Sequence, residues 1–194
     1  MKINFSKEDE AGFQDDLEAE KVKAARDISI TAFVIFFIFG LVDLFTAASF
    51  NEPAWTVRTI ILFFIVAIIY FAEHRRPFFI RNYNMFVMSE FLSFGFGIQG
   101  IALFSPPDHM SWQNYHPALI LITFALYNTS YITGRSAFIT GMILLLSYTY
   151  TAIYMIPATG NNRLVSNIVF LASTNVVALI SKKIMMRFSR SSFL

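Results

Sequence analysis

The chain has no cysteine and few charges: 13 Asp and Glu and 15 Lys and Arg among 194 residues. The missing thiol excludes disulfides, thiolate metal centres and cysteine nucleophiles. Charged residues make up 14% of the chain, against roughly 25% in a soluble domain. Polar alternation is also missing, because the apolar residues run in long blocks with neither a two-residue nor a 3.6-residue polar rhythm. No secretory signal peptide is evident, since the first 27 residues are strongly polar and the first apolar block is full length. No basic stripe lies outside the helix flanks, so the sequence offers no nucleic-acid partner.

What is present is apolar surface: 56% hydrophobic residues, 23 of them Phe. Helices apolar all round are either deeply buried or in lipid. A fold of this size has too little interior for six of them, so lipid is the expected solvent. The blocks lie near Ile28–Phe50, Thr56–Glu73, Asn84–Phe104, Tyr115–Gly134, Ala137–Ile156 and Leu164–Ser181. Each has the length needed to cross about 30 Å of hydrocarbon. The links between them are short, which predicts antiparallel neighbours. The expected fold class is therefore all-α, a polytopic membrane protein built as an up-down bundle of six transmembrane helices.

Residues 1–27 are expected to form a cytoplasmic amphipathic helix that lies on the membrane or runs directly into the first span. Its acidic residues crowd the first half, and Lys21, Lys23 and Arg26 the second, which suits the helix dipole. Residues 28–183 make the six-helix domain, and 184–194 a cytoplasmic helical extension. With the N-terminus inside, eleven basic residues flank the spans on the cytoplasmic side, including Arg75, Arg76, Arg81, Arg135, Lys182 and Lys183. Only Arg58 and Arg163 flank them outside. The positive-inside rule places both termini in the cytoplasm.

Several features in order carry a family resemblance. A charged N-terminal helix enters a span bearing an Asp (GLVDLF, Asp43). An outer loop holds Pro53 and, five residues on, Arg58. The fourth span opens with NYHPALILITFALY. The last carries Asn167 and Asn175 and leaves through KKIMMRFSRSSFL, with an Arg-X-X-Phe step. This resembles the six-helix, MASE-like sensor domains that precede the catalytic part of bacterial membrane-bound class III adenylate cyclases. Similar domains precede some diguanylate cyclases and histidine kinases. The chain departs mildly from the pattern in the fourth span, where Ala118-Leu119 stands in place of a Gly-containing step. The resemblance implies a dimeric receptor in the bacterial inner membrane, with an unknown small or lipophilic ligand and a C-terminal cyclase-type output domain that these residues do not include.

Candidate site residues follow from cost. A carboxylate within a span costs roughly 2.5–3.5 kcal/mol on insertion scales, so it is paired or functional. Asp43 and Arg58 are expected to pair near the outer face, as a packing salt bridge or as a ligand or ion site. Glu90, in the third span, has Arg135 as its expected partner. Asp108, His109 and His116 cluster around the third outer loop and could hold an outer divalent cation, although their spacing fits no stringent ligand pattern. No other cofactor is expected. Gly95-Phe-Gly97-Ile-Gln-Gly100 matches a dinucleotide fingerprint in letters only. It lies inside an apolar span, so its glycines are expected to allow close helix contact. Asn167 and Asn175 share a helix face and belong to a polar ladder with Ser147, Tyr148, Thr149, Tyr150, Thr151, Ser173 and Thr174. That ladder reads equally as bundle or dimer glue and as a pocket lining.

An enzyme is the least expected class, because no nucleophile–base pair or phosphate loop sits in a believable context. A small transporter or channel would need a midplane path of ionisable residues and two similar halves. Only Asp43 and Glu90 qualify, and no internal repeat is visible. A passive membrane anchor differs from a receptor only in lacking a ligand-dependent effect.

Overall fold

The computed structural model describes residues 7–46, 51–105, 110–129, 131–155 and 161–192, and these are helical almost throughout, with no strand among them. The elements are α1 (Lys7–Thr46), α2 (Asn51–His74), α3 (Arg76–Arg81), α4 (Tyr83–Phe104), α5 (Met110–Asn128), α6 (Gly134–Tyr150) and α7 (Asn161–Ser192). A π-turn, Thr151–Met155, continues α6. α1 takes the second course the sequence allows: its charged start and its apolar span are one helix of 40 residues. At 1.5 Å per residue it is about 60 Å long.

Among the described residues, five helical stretches are long and apolar enough to cross a membrane: Glu18–Val42, Glu52–His74, Tyr83–Phe104, Gly134–Met155 and Leu164–Ile184. α5 carries Ser111, Gln113, Asn114 and His116 in its first two turns, ahead of an apolar second half. Large apolar side chains stand out from the bundle on every side, with Phe63 72% exposed, Leu121 70% and Phe170 61%. Contiguous apolar surface on this scale is foreign to water-soluble monomers. The chain is an all-helical, multi-pass membrane protein.

Local chemistry fixes the connections. Pro77 occupies the first turn of α3, where its missing N–H costs no hydrogen bond. Phe79 of that short helix is fully buried, and Asn82 closes it by donating from Nδ2 to the Phe78 carbonyl. Before α6, Tyr131 adopts φ 67°, the left-handed region that a non-glycine residue seldom enters. Thr133 then caps α6, its Oγ1 accepting from the Ser136 N–H at 3.2 Å. The Thr133 N–H donates to Asn84 Oδ1 at 3.0 Å, which ties this turn to α4.

α4 is the central helix, half buried over its span, whereas the spans of α1 and α7 are 22% buried. It packs against α2 on one side and against α5 and α6 on the other, while α1 lies on α2 and α7 on α5 and α6. Two glycines permit this. A Cβ on Gly95 would lie 2.1 Å from Leu144 Cδ2 of α6, and one on Gly97 2.0 Å from Ile61 Cδ1 of α2. The third glycine of the string, Gly100, meets nothing closer than 3.9 Å.

The core is uneven. At the end where Arg75, Arg76, Arg81 and Lys182 gather (the basic end), one cluster draws on all seven helices. Ala25, Ala72, Phe79, Val87, Tyr127, Ala137 and Ala178 all belong to it. Toward the opposite end the core divides. One cluster joins α4 to α7 around Leu119, Tyr148 and Leu171, and another joins α1, α2 and α4 around Phe36, Ile65 and Phe94.

Candidate functional site in the polar interior

Buried polar groups are concentrated where helices cross. Glu90, 1% exposed, accepts a hydrogen bond from Ser29 Oγ at 2.8 Å, linking α4 to α1. Ser29 is itself fully buried. The partner expected from sequence, Arg135, lies exposed at the start of α6. No ion pair joins it to Glu90, and the ion pair observed among the described residues is Arg26–Asp27 at 3.6 Å. A small hydroxyl therefore meets the carboxyl where a guanidinium was expected. Ser29 gave no signal of this, since one serine near the start of an apolar block is unremarkable.

Arg58 is buried, 6% exposed. Its Nη1 donates to the Phe36 carbonyl at 3.3 Å and its guanidinium lies 5.5 Å from the Phe36 ring centroid. Both contacts reach from α2 to α1, at a point where Gly40 leaves room for Trp55 and the Arg58 stem. The side chain of its expected partner, Asp43, lies outside the described residues, as do Asp108 and His109.

A second polar crossing joins α4 to α6. Gln99, 4% exposed, donates from Nε2 to Ser147 Oγ at 2.9 Å and accepts from Thr151 Oγ1 at 3.2 Å. Thr151 opens the π-turn, so the distorted backbone begins at the residue that completes this crossing. A third joins α5, α6 and α7. Tyr127 Oη donates to Asn175 Oδ1 at 3.2 Å, while Asn175 Nδ2 returns to the Leu171 carbonyl at 3.0 Å. Gly141 of α6 lies directly beneath, where a Cβ would come within 1.9 Å of Asn175 Oδ1.

The polar ladder read from sequence thus divides. Ser147, Thr151 and Asn175 bond between helices. Thr149 and Thr174 instead return their hydroxyls to carbonyls four residues earlier in their own helices. Asn167 accepts, through its backbone carbonyl, a 3.0 Å hydrogen bond with His116 Nε2. The His116 ring lies 5.5 Å from that of Tyr148 and the Tyr115 ring 5.4 Å from it. Tyr115 and the Asn167 side chain both face the Tyr148 hydroxyl. Even so, the buried phenolic oxygens of Tyr115 and Tyr148 form no hydrogen bond of full geometry.

Lys182 stands among the four bases that follow the last apolar block, and it is 2% exposed. Its ammonium donates to the Thr129 carbonyl at the C-terminal end of α5, where the helix dipole is negative. Close by in sequence, the Tyr131 phenol is raised above its ordinary range by burial and by the neighbouring Glu20 carboxylate. The basic end is thus tied from α1 to α7.

Chemically, these groups hold helices in register. Among the described residues no three His, Asp or Glu side chains come together as a metal site, and His116 is engaged with α7. No family model, no curated protein and no solved structure matches this chain.

Proposed function

We propose that this chain is a membrane-embedded sensor module whose last helix passes a change in bundle packing to a signalling enzyme on the cytoplasmic side. The observation that carries it is the continuity of α7. The helix runs from Asn161 to Ser192 without a break, about 48 Å at 1.5 Å per residue. That exceeds the roughly 30 Å hydrocarbon layer, so about two turns or more project beyond it as a rod. A rigid helix of this kind transmits rotation or translation to whatever follows it.

In this reading α5 crosses the membrane as a sixth span, its polar first turns lying at the outer surface. Residues early in the apolar stretches of α1, α4 and α6 meet residues late in those of α2, α5 and α7 in the core of the basic end, which favours up-down order. The arginines there support an orientation with that end and both termini in the cytoplasm of a bacterium, the bundle lying in its inner membrane. Pairing of Asp43 with Arg58 would close the outer end of the α1–α2 hairpin. The sequence resemblance to MASE-like domains favours a nucleotide cyclase as the output and a homodimer as the working unit.

The test is a chimera joining Leu194 to a cyclase catalytic domain in reconstituted membranes. A sensor predicts that substitutions at the α6–α7 crossing, such as Gly141→Leu, change cyclase output while the domain stays dimeric. Output indifferent to every bundle substitution, or ion flux through the bundle alone in proteoliposomes, would overturn the reading.

A further inference from the structure

Where α1 passes α3 at the basic end, a groove of about 390 Å³ is lined by Glu18, Arg76, Pro77, Ile80 and Arg81. Arg76 and Arg81 are exposed, and neither forms an ion pair among the described residues. α3 itself is anchored from beneath by Phe79, fully buried, while Phe78 on its other side is 52% exposed. A short helix with one aromatic ring sunk in the core and its neighbour half exposed suits the boundary between lipid tails and water. Two guanidiniums flanking an apolar floor of Pro77 and Ile80 suit an anion with an attached hydrocarbon chain. The lone carboxylate, Glu18, would repel that anion unless the ligand also brings a hydrogen-bond donor.

We infer that this α1–α3 groove is a binding site for one anionic phospholipid of the inner leaflet, whose phosphodiester meets Arg76 and Arg81 and whose headgroup hydroxyls donate to Glu18. The chemistry required is that of a glycerol headgroup. The phosphate supplies one negative charge against the groove's two positive and one negative, and the hydroxyls meet the carboxylate without adding charge. Phosphatidate, a phosphomonoester of charge about −1.5 to −2 at pH 7, has no headgroup hydroxyls and brings more negative charge against Glu18. The inference rests on the proposed placement of the basic end at the cytoplasmic membrane surface. It goes beyond general attraction of basic residues to anionic lipid, because it names a pocket, a stoichiometry and a headgroup preference.

The test is native mass spectrometry of the full chain released from bilayers of phosphatidylglycerol, phosphatidylethanolamine and phosphatidate in equal parts. One phosphatidylglycerol retained per chain is the expected result. Arg76→Gln with Arg81→Gln should weaken its retention roughly 100-fold, since two direct hydrogen bonds to a charged group are lost, each contributing about ten-fold. Arg135→Gln, an exposed base outside the groove, should leave it within about two-fold. Glu18→Gln should keep a phosphate lipid bound but erase the preference for glycerol over phosphatidate. That variant carries the test alone if the double variant does not fold. Millimolar inorganic phosphate should fail to displace the lipid. Equal losses from Arg135→Gln and from the double variant, preference for phosphatidylethanolamine, or displacement by free phosphate would each overturn the site. Failure of the orientation itself is read separately, as labelling of an Arg135→Cys variant by an impermeant maleimide from the outer side.

Discussion

The two ends of the bundle solve the same problem differently. At the basic end one core takes side chains from every helix, and the buried polar groups there find partners: Glu90 with Ser29, Tyr127 with Asn175, and Lys182 with the Thr129 carbonyl. Toward the opposite end the core separates into smaller clusters, the main ones on α4 to α7 and on α1, α2 and α4. The indole N–H of Trp55 and the phenols of Tyr115 and Tyr148 are buried there without a hydrogen-bond partner. An unmet buried polar group costs about 1–3 kcal/mol. The contrast identifies the basic end as the fixed base of the bundle and the other as the end whose packing has least to lose by rearranging.

The sharpest way to break that comparison is charge reversal at its anchor. Lys182→Glu would set a carboxylate against the Thr129 carbonyl and the negative end of α5. It should destabilise the bundle by about 3–5 kcal/mol, the cost of an uncompensated buried charge. Reversible unfolding in bicelles would measure it. A loss below about 1 kcal/mol would mean that the ammonium is not held at the α5 terminus.

The next effect in size is steric. Gly141→Leu should cost about 2–4 kcal/mol by overpacking the α6–α7 crossing and displacing Asn175 from Tyr127. Gly100→Ala, whose new Cβ would meet only Val57 at 3.9 Å, should stay within about 0.5 kcal/mol in the same assay. If the two substitutions proved equally tolerated, the glycines would not be setting helix approach.

How far the sequence reveals these two ends depends on the kind of signal. Apolar blocks set by a 30 Å solvent are conspicuous, so the multi-pass helical character is legible from composition alone. The structure adds that the charged N-terminal stretch is continuous with the first span. Glycine spacing also pointed correctly to close contact, at Gly95 and Gly97. Pair identities did not follow. Electrostatic reasoning named Arg135, at the inner end of the fourth span, as the partner of Glu90, whereas the folded bundle sets the Ser29 hydroxyl against it, with no desolvated partner charge. Lys182 is hidden by its company, because three exposed or terminal bases around it make a uniform flank in sequence. Only the end of α5, far away along the chain, makes it a buried donor. The Asp43–Arg58 pair and the cation cluster with Asp108 and His109 fall on side chains outside the described residues.

The smallest predicted effects are the most discriminating, since they compare one atom at each end. Tyr127→Phe removes a phenol that donates to Asn175 at 3.2 Å. It should cost about 0.6–2 kcal/mol, as interhelical hydrogen bonds in membranes do. Tyr148→Phe removes a phenol that is equally buried but lacks a partner. Deleting an unsatisfied hydroxyl relieves its desolvation, so this change should be neutral or stabilise by up to about 1 kcal/mol. The prediction concerns the sign of the difference, which does not depend on ring packing because both substitutions keep the ring. Should Tyr148→Phe cost as much as Tyr127→Phe, Tyr148 would have a partner of its own, Asn167 or Tyr115 being the nearest, and the opposite end would be as firmly bonded as the basic one. The looseness argued for that end would then have to come from its divided core alone.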